Sequence, residues 1–469
     1  MEEMDQEFRT AATESQLTEA TPSTTDKKAE PRPALGMLDA IAVIVGIVVG
    51  AGIFRTPSLV AANTESSTIF LATWVLGGLV SLIGAMCYAE LATTFPNAGG
   101  DYHFLTRAFG KKPAFLFAWA RMSVIQTGSI ALLSFIIGDY LAQIYSFGEF
   151  TSVFYAALVV ISLTAINIVG VTFGAGTQRL LTILEILGIL FILAASFLFA
   201  PDAAATAAPA SSGGTTSLGL AMVFVLLTFG GWNEAAYISA ELKTERRGMA
   251  TALMASIAII TLIYLLINIA YLNVLGLGGM AQSEAVASDL VRATFGEAGV
   301  VIIALIVTLA ALTSVNATIF TGARTNYALG RDFPVFGFLG KWNGQTSSPV
   351  NAFLVQGAIS LALVALGFLT RNGFETIVEY TAPVFWFFLL LVGIALFVLR
   401  RKEPDRPRPF RVPLYPITPL LFCLTSAYLL YSSLMYTGLG ALVGIAVLAV
   451  GGLLLLALPM LERRMKRNN

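Results

Sequence analysis

Histidine is nearly absent from this chain and cysteine is scarce: His103 stands alone, and Cys87 and Cys423 are the two thiols among 469 residues. No HExxH helix occurs and the cysteines lie far apart in sequence, so there is no metal cluster or nucleophile–base set for a membrane-embedded enzyme. Both cysteines sit deep in apolar runs and read as free thiols, not as a disulfide framework. Charge is thin as well, at 12% of residues, and 28 basic side chains balance 28 acidic ones. A net charge of zero gives no electrostatic footprint for nucleic acid. Neither a filter loop nor a ring of like charges is visible, which argues against a channel. Residues 1–34 lack a basic segment followed by an apolar one and are rich in Ser, Thr, Glu and Pro. They read as a disordered tail and not as a signal peptide.

Apolar length is what the chain has in quantity. It is 57% hydrophobic with a mean hydropathy of +0.79, and a spanning helix needs about 20 apolar residues. Twelve stretches qualify: 37–62, 68–92, 113–145, 152–171, 177–200, 217–241, 248–275, 296–328, 350–369, 373–399, 413–433 and 437–461. We number them spans 1 to 12. Lys and Arg concentrate in cytoplasmic loops, and placing both termini there puts 24 of the 28 basic residues inside. Arg55, Arg292 and Arg371 fall outside, and Arg121 lies within span 3. The Ala-, Pro-, Ser- and Gly-rich stretch 201–216 reads as a flexible extracellular linker. Residues 276–295 are too polar to span and are expected to form a short helix on the outer face, while His103 is expected in a cytoplasmic loop.

Spans 1 and 6 each carry a glycine-rich interruption: Gly46-Ile-Val-Val-Gly50-Ala51-Gly52-Ile53-Phe54 and Thr228-Phe229-Gly230-Gly231-Trp232-Asn233-Glu234. Glycine lets a helix unwind, and unwound backbone survives in a bilayer only where protein or a wet cavity surrounds it. Such a pair in corresponding positions points to a transporter's substrate site. A cut helix exposes amides at one new end and carbonyls at the other, each end carrying roughly half a unit charge. A zwitterionic amino acid matches both ends. The plainer alternative is that these glycines only permit tight helix packing.

At these residues the chain resembles the amino acid–polyamine–organocation superfamily, and within it the L-type amino acid transporter branch. The likeness covers spans 1 to 10. It rests on Gly50-Ala51-Gly52-Ile53-Phe54, Tyr88-Ala89-Glu90-Leu91, Pro96-Asn97-Ala98-Gly99-Gly100-Asp101-Tyr102, Gly230-Gly231-Trp232-Asn233 and Glu241-Leu242-Lys243, in that order. The resemblance implies an all-α integral membrane fold of twelve helices: inverted five-helix repeats over 35–200 and 217–400 with helices 1 and 6 broken, then helices 11–12 and a basic C-terminus over 401–469. It also implies alternating access around a central amino-acid site. Carried over by motif, the substrate carboxylate meets the backbone of Gly50, Ala51 and Gly52. The ammonium meets carbonyls of Val48, Leu227, Thr228 and Gly230. Trp232 and Asn233 join the substrate site, with Phe229 as a gate or pocket wall, and Gln126, Asn316, Phe385 and Trp386 line the side-chain pocket. Position 51 is often Ser in relatives, so Ala51 leaves the work to backbone amides.

Ionisable residues within spans are costly and usually mark function. Glu185 in span 5 ends a stretch that in many family members ends in Lys, near the gap between spans 1 and 8 where sodium binds in sodium-coupled relatives. It would either titrate during transport, ligate a cation with Thr313, Ser314 and span 1 carbonyls, or face an inner vestibule without a coupling role. Glu234 follows the span 6 break and either reaches the substrate or pairs structurally, with Arg121 a candidate partner for one of these acids. Glu90 and Glu241, with Lys243 nearby, are expected at solvated cytoplasmic ends, with inner-gate pairing to neighbouring basic residues the alternative.

The resulting expectation is a secondary amino acid transporter of a prokaryotic plasma membrane, for neutral L-amino acids, by proton-coupled symport or exchange. Sodium coupling and a transporter-fold amino acid sensor stay open. No cofactor beyond the coupling ion is expected. Relatives that pair with a disulfide-linked heavy chain use a cysteine near the loop after span 3. That loop here, Tyr145 to Thr151, has none.

Overall fold

The computed structural model describes residues 37–468 apart from 98, 170, 200–216, 239–245, 344–347, 371–372 and 438. The expected tail 1–34, the linker 201–216 and the motif Glu241-Leu242-Lys243 lie outside the described residues. Within them the chain is helical, with no strand beyond one bridged pair, Asn343 and Ser348.

Eleven of the described helices are long and apolar enough to cross a membrane: Ser67–Thr94, Lys111–Ile144, Thr151–Val169, Leu181–Leu198, Leu218–Tyr237, Gly248–Gln282, Gly299–Asp332, Val350–Gly367, Tyr380–Lys402, Ile417–Met435 and Gly440–Met460. They fall on expected spans 2 to 12. Span 1 is divided between two shorter helices, Met37–Val48 and Thr56–Ala62. Their lateral faces are apolar, as a bilayer requires of backbone-satisfied segments, and Leu79, Leu187, Leu262 and Leu453 are among the exposed side chains. Serines begin two of them: the side chain of Ser66 accepts from the Ile69 amide and that of Ser217 from the Leu220 amide, each at 3.3 Å, satisfying N-terminal amides that have no helical partner.

The helix of span 7 breaks at Gly276 (φ +66°, ψ +167°), where the expected span ends; a short helical segment runs on to Gln282, and the short helix expected before span 8 is Val286–Phe295. His103 lies on a nine-residue helix, Asp101–Phe109, and not in a loop. The periodic apolar residues Phe104, Leu105 and Ala108 are buried, which holds that helix against the bundle.

Span 8 packs along span 3, span 7 along span 2, and span 10 along span 11. The two interrupted spans lie among them, with span 7 against the first half of span 1. Behind the breaks sits an aromatic group in which Trp74 and Phe229 both pack edge-on against Tyr264, with ring centroids 5.8 and 4.9 Å away.

Candidate functional site

Both interruptions are real breaks in the helical backbone. Span 1 stops at Val48, passes through Gly50 at φ −45° and ψ −163°, and resumes as a short 3-10 turn, Ala51–Phe54. Span 6 stops at Thr228, turns at Gly231 with φ +108°, and resumes with the turn Trp232–Glu234. The positive φ at Gly231 is a conformation that side-chain-bearing residues rarely adopt. The breaks also touch: a Cβ on Gly52 would stand 3.3 Å from Cγ2 of Thr228, and one on Gly231 would stand 3.0 Å from Cγ2 of Ile47. On the other side, a Cβ on Gly50 would lie 2.1 Å from the Ser314 hydroxyl. These glycines thus serve close packing and unwinding at once, and they face protein, not lipid.

Between the breaks lies a cavity of about 180 Å³ lined by Val48, Gly50, Gly52, Leu227, Thr228 and Gly230, together with Asn233 and Glu234. That is roughly a dozen times the space one water requires, enough for a small organic molecule. Span 3 contributes Arg121 and Gln126, span 8 contributes Ser314, and span 10 contributes Phe385. The first halves of both broken spans end here. Their carbonyl ends bring partial negative charge to the cavity, while amides opening the turn after Gly50 bring partial positive charge. The arrangement suits a ligand carrying a cation and an anion a few ångströms apart.

Several expected residues stand elsewhere. Trp232 points away from this cavity, packing edge-on against Tyr88 at 5.1 Å and lining a smaller apolar space with Trp386 and Phe422. Phe229 packs with Trp74 and Tyr264 behind the break. Asn316 accepts a hydrogen bond from Asn167 at 2.7 Å, and Thr313 donates to the carbonyl of Leu309 in its own helix. Ser314 donates to the Ile47 carbonyl at 3.5 Å. Gln126 lines the cavity while donating to the Thr318 carbonyl and to the Thr321 hydroxyl. Of Ala51 only the backbone is described. Glu185 is buried in span 5 and does not line the cavity, and among the described residues neither of its carboxyl oxygens has a hydrogen-bond partner.

The freed carbonyls are not bare. The hydroxyl of Tyr264 in span 7 lies 2.7 Å from the carbonyl of Val48 and 3.0 Å from that of Thr228, and Tyr140 in span 3 donates to the carbonyl of Phe54 at 2.9 Å. Sequence reading passed over both tyrosines. The available signal was a phenol in an apolar run, since a buried Tyr hydroxyl usually needs a partner.

A charged floor closes one side of the cavity. One turn of span 3, Arg121–Ile125, is a π-turn, a widening that recurs at functional sites. It begins at Arg121, whose Nη2 donates to Oε1 and Oε2 of Glu234 at 2.9 and 2.8 Å. The guanidinium also stacks 4.4 Å over the ring of Tyr237. Asp101 completes the group from the start of the Asp101–Phe109 helix, placed there by Gly100, whose backbone packs on Tyr237. Burial pushes the Asp101 carboxyl up to about 7, with Arg121 pulling the other way and Glu234 adding to the rise.

Glu90 departs from its expected solvated setting. It is buried, accepts from Nε of Arg400 and from the Val412 amide at 2.7 Å each, and has Nε of Arg408 at 3.4 Å. The basic segment after span 10 folds back over this acid and removes it from water.

Residues 35–455 match the family described as Amino acid permease. The chain is 30% identical over 428 residues to the b(0,+)-type amino acid transporter 1 of Mus musculus, covering 89% of this chain and 85% of that one. It is 27% identical over 423 residues to the serine/threonine exchanger SteT of Bacillus subtilis, covering 89% and 95%. It is 29% identical over 440 residues to the large neutral amino acids transporter small subunit 2 of Mus musculus, covering 89% and 79%. These relatives are transporters and not enzymes, and the paired helix breaks around a small cavity are what such a carrier needs. The chain belongs to the amino acid permease family, within the amino acid–polyamine–organocation superfamily.

Proposed function

We propose that this chain is a secondary carrier of neutral L-amino acids in a plasma membrane, working by alternating access at the two breaks. The observation that carries the reading is the meeting of both interruptions around one cavity, with helix ends of opposite dipolar sign exposed to it. The carboxylate of the substrate takes the amides of Gly50, Ala51 and Gly52. Its ammonium takes the carbonyls of Val48, Leu227, Thr228 and Gly230. Asn233, Gln126 and Phe385 contact the side chain.

A neutral side chain fits because, among the described residues, the one full cation at the cavity, Arg121, is already bound to Glu234. The apolar remainder, including Ile125, Leu132 and Phe388, supplies burial worth about 25 cal/mol per Å². Coupling runs through Glu185, by proton symport or by exchange. A buried carboxyl with no hydrogen-bond partner draws its neutralising charge from a proton or cation that arrives by water, and intramembrane acids of this kind form proton relays. Both termini are assigned to the cytoplasm, and the chain works without a disulfide-linked heavy chain, having no cysteine in the loop after span 3.

The test is a thermal-shift screen of purified protein against the twenty amino acids, followed by uptake into proteoliposomes. Neutral amino acids should stabilise the protein, and preferential stabilisation by Lys or Arg would overturn the assignment. Uptake by Glu185→Gln should lose its dependence on the proton gradient. A gradient dependence equal to that of the wild type, for protons and for sodium alike, removes Glu185 from the mechanism.

A further inference from the structure

Three ionisable side chains meet at the cavity floor, and their charges do not balance. Arg121 directs Nη2 at both carboxylate oxygens of Glu234, and Asp101 forms no ion pair among the described residues. Asp101 is 4% exposed, and its Oδ1 has no hydrogen-bond partner among those residues. The hydroxyls of Tyr88 from span 2 and Tyr237 from span 6 stand near it, equally unpartnered there. Asp101, Arg121, Glu234 and Tyr88 all line the cavity. The remaining charges on the Asp101–Phe109 helix and around it face elsewhere. Tyr102 donates to Asp332, Arg107 pairs with Glu403, Lys402 donates to the Ala108 carbonyl, and His103 has Arg107, Arg406 and Glu403 for neighbours. With both acids ionised, the floor holds one negative charge too many, and a buried, uncompensated charge is either paired or neutralised. Among the described residues no three His, Cys, Asp or Glu side chains are placed to share a metal ion. A proton on Asp101 is what balances the floor.

We propose that Asp101, Arg121 and Glu234 form a one-proton site in the cavity floor, filled while the floor is shut and emptied toward the cytoplasm when it opens. The proposal rests on the carrier reading and the topology given above. Its site is separate from Glu185, which lies in span 5 away from the cavity lining. In the shut floor Glu234 keeps the guanidinium and Asp101 stays a neutral carboxylic acid. Burial that lifts this carboxyl to about 7 agrees with that division. Glu234 follows the span 6 break directly, so movement of that segment draws it from Arg121 and lets water in. A wetted aspartic acid returns to about 4. Its O–H bond then breaks, the electron pair stays on Asp101, and water carries the proton to the cytoplasm. The new carboxylate takes the guanidinium that Glu234 released. Between about pH 4 and 7 only the shut floor binds the proton, so acid favours the shut state by up to about tenfold per pH unit. Above about 7 both states are deprotonated and the effect is gone.

Infrared spectroscopy of the purified full chain tests the site without transport. Spectra from about pH 5.5 to 8.5 bracket the expected midpoint and are read at the carboxylic-acid C=O stretch, as wild type minus variant. Subtracting Asp101→Asn should leave one acid band that fades with a midpoint near pH 7. Subtracting Glu234→Gln should leave the same band. With residue 234 neutral, Arg121 has only Asp101 for a counter-ion, so Asp101 stays ionised throughout although its burial is unchanged. A carboxyl raised by burial alone would titrate alike in wild type and Glu234→Gln, and the band would cancel. That cancellation, or no Asp101 band at all, overturns the proposal. So does an acid band that sodium chloride removes and choline chloride does not, which would assign the balancing charge to a metal ion. Glu185 and the remaining acids are common to all three proteins and cancel in the differences.

The transport arm places the same three proteins in proteoliposomes, with radiolabelled L-leucine and L-serine exchanging against the same unlabelled amino acid. The pH is equal on both sides, so the orientation of the carrier in the vesicle does not matter. Wild-type exchange should fall below about pH 7, by up to about tenfold per unit. Asp101→Asn should lose this acid limb and stay at the slow rate throughout, since the amide copies the protonated acid. Glu234→Gln should lose the limb as well. No acid limb in wild type, or a limb that either variant keeps, overturns the proposal. A wild type that moves neither label at any pH removes the carrier reading itself and leaves the infrared arm to judge the proton site, so the two failures are told apart.

Discussion

Arg121 and Glu234 form an ion pair across the break in span 6, with Nη2 of the arginine 2.9 and 2.8 Å from the two carboxylate oxygens. The arginine side chain is 2% exposed and the glutamate 12%, so each charge depends on the other for its solvation. Removing one partner from such a pair costs about 3–5 kcal/mol, because the survivor is left buried and uncompensated. Replacing both with neutral side chains of similar volume is far less damaging.

Arg121→Met should therefore lower the Tm of the purified protein markedly, and Arg121→Met with Glu234→Gln should regain most of the loss. A double variant as unstable as the single one would show that packing of the guanidinium on Tyr237, and not charge, is what Arg121 supplies. Since Glu234 directly follows the break, the single variant should also slow uptake of neutral amino acids more than the double.

Asp101 makes stability depend on pH in a defined direction. Burial lifts its carboxyl from 3.8 to about 7, so the folded chain keeps a proton that the unfolded chain has released. The stabilisation from that proton is complete below about pH 4 and is lost as pH rises through 7, with a slope of up to about 1.4 kcal/mol per pH unit between them. Asp101→Asn should flatten the Tm–pH profile over that window and leave the variant relatively more stable above pH 7. His103 nearby is shifted down by burial, Arg107 and Arg406. A lowered histidine acts with the opposite sign, but it is common to both proteins and cancels in the difference. Parallel wild-type and variant profiles would remove Asp101 as the cause.

The breaks were legible because glycine spacing within an apolar run has few other meanings, and the spans because twenty apolar residues in succession have fewer still. What surrounds the breaks was less legible. Tyr264 and Tyr140 act through one hydroxyl each, and a tyrosine in an apolar run reads equally well as packing. The π-turn at Arg121–Ile125 leaves no periodic trace, since one extra residue per turn within five residues does not alter the composition of Arg-Met-Ser-Val-Ile. Asp101 and Glu90 sit at helix ends, where an acid normally meets water. The chains that cover them arrive from elsewhere in sequence: span 6 over Asp101, and the segment after span 10 over Glu90. Trp232 shows the reverse error, because its place beside the break said nothing of the direction its ring would take.

Gly231 should tolerate no side chain. Its φ of +108° is strained for any other residue, at roughly 1–2 kcal/mol, and a methyl group there would press on Ile47 at 3.0 Å. Gly231→Ala should lower Tm and reduce uptake, by shifting the two breaks against each other. Gly452→Ala is the control, since a Cβ on Gly452 would meet nothing within 4 Å; inside its helix the alanine should leave Tm equal or slightly raised and uptake unchanged. Comparable uptake by the two variants would show that the Gly231 turn does not shape the site.

The clamp on Glu90 should prove far stronger than its surface counterpart. Glu90 is 3% exposed and holds Arg400, Arg408 and the Val412 amide together. The Arg107–Glu403 pair nearby has equally short contacts at 2.7 Å, but its members are 32% and 27% exposed. Water solvates both charges of that second pair when it separates, so Glu403→Gln should cost at most about 1 kcal/mol. Glu90→Gln keeps an oxygen for the Val412 amide but leaves two guanidinium groups without their anion. Arg400 reaches water at 20% exposure and Arg408 scarcely at 7%, so the cost should sit at the lower end of the buried-pair range, about 3 kcal/mol. Because the clamp ties span 2 to the segment after span 10, its loss should also speed hydrogen exchange at the Val412 amide, while Glu403→Gln leaves that amide protected. Equal exchange in the two variants would mean that segment 409–416 is held by its apolar contacts, and that Glu90 is carried along by the fold instead of fastening it.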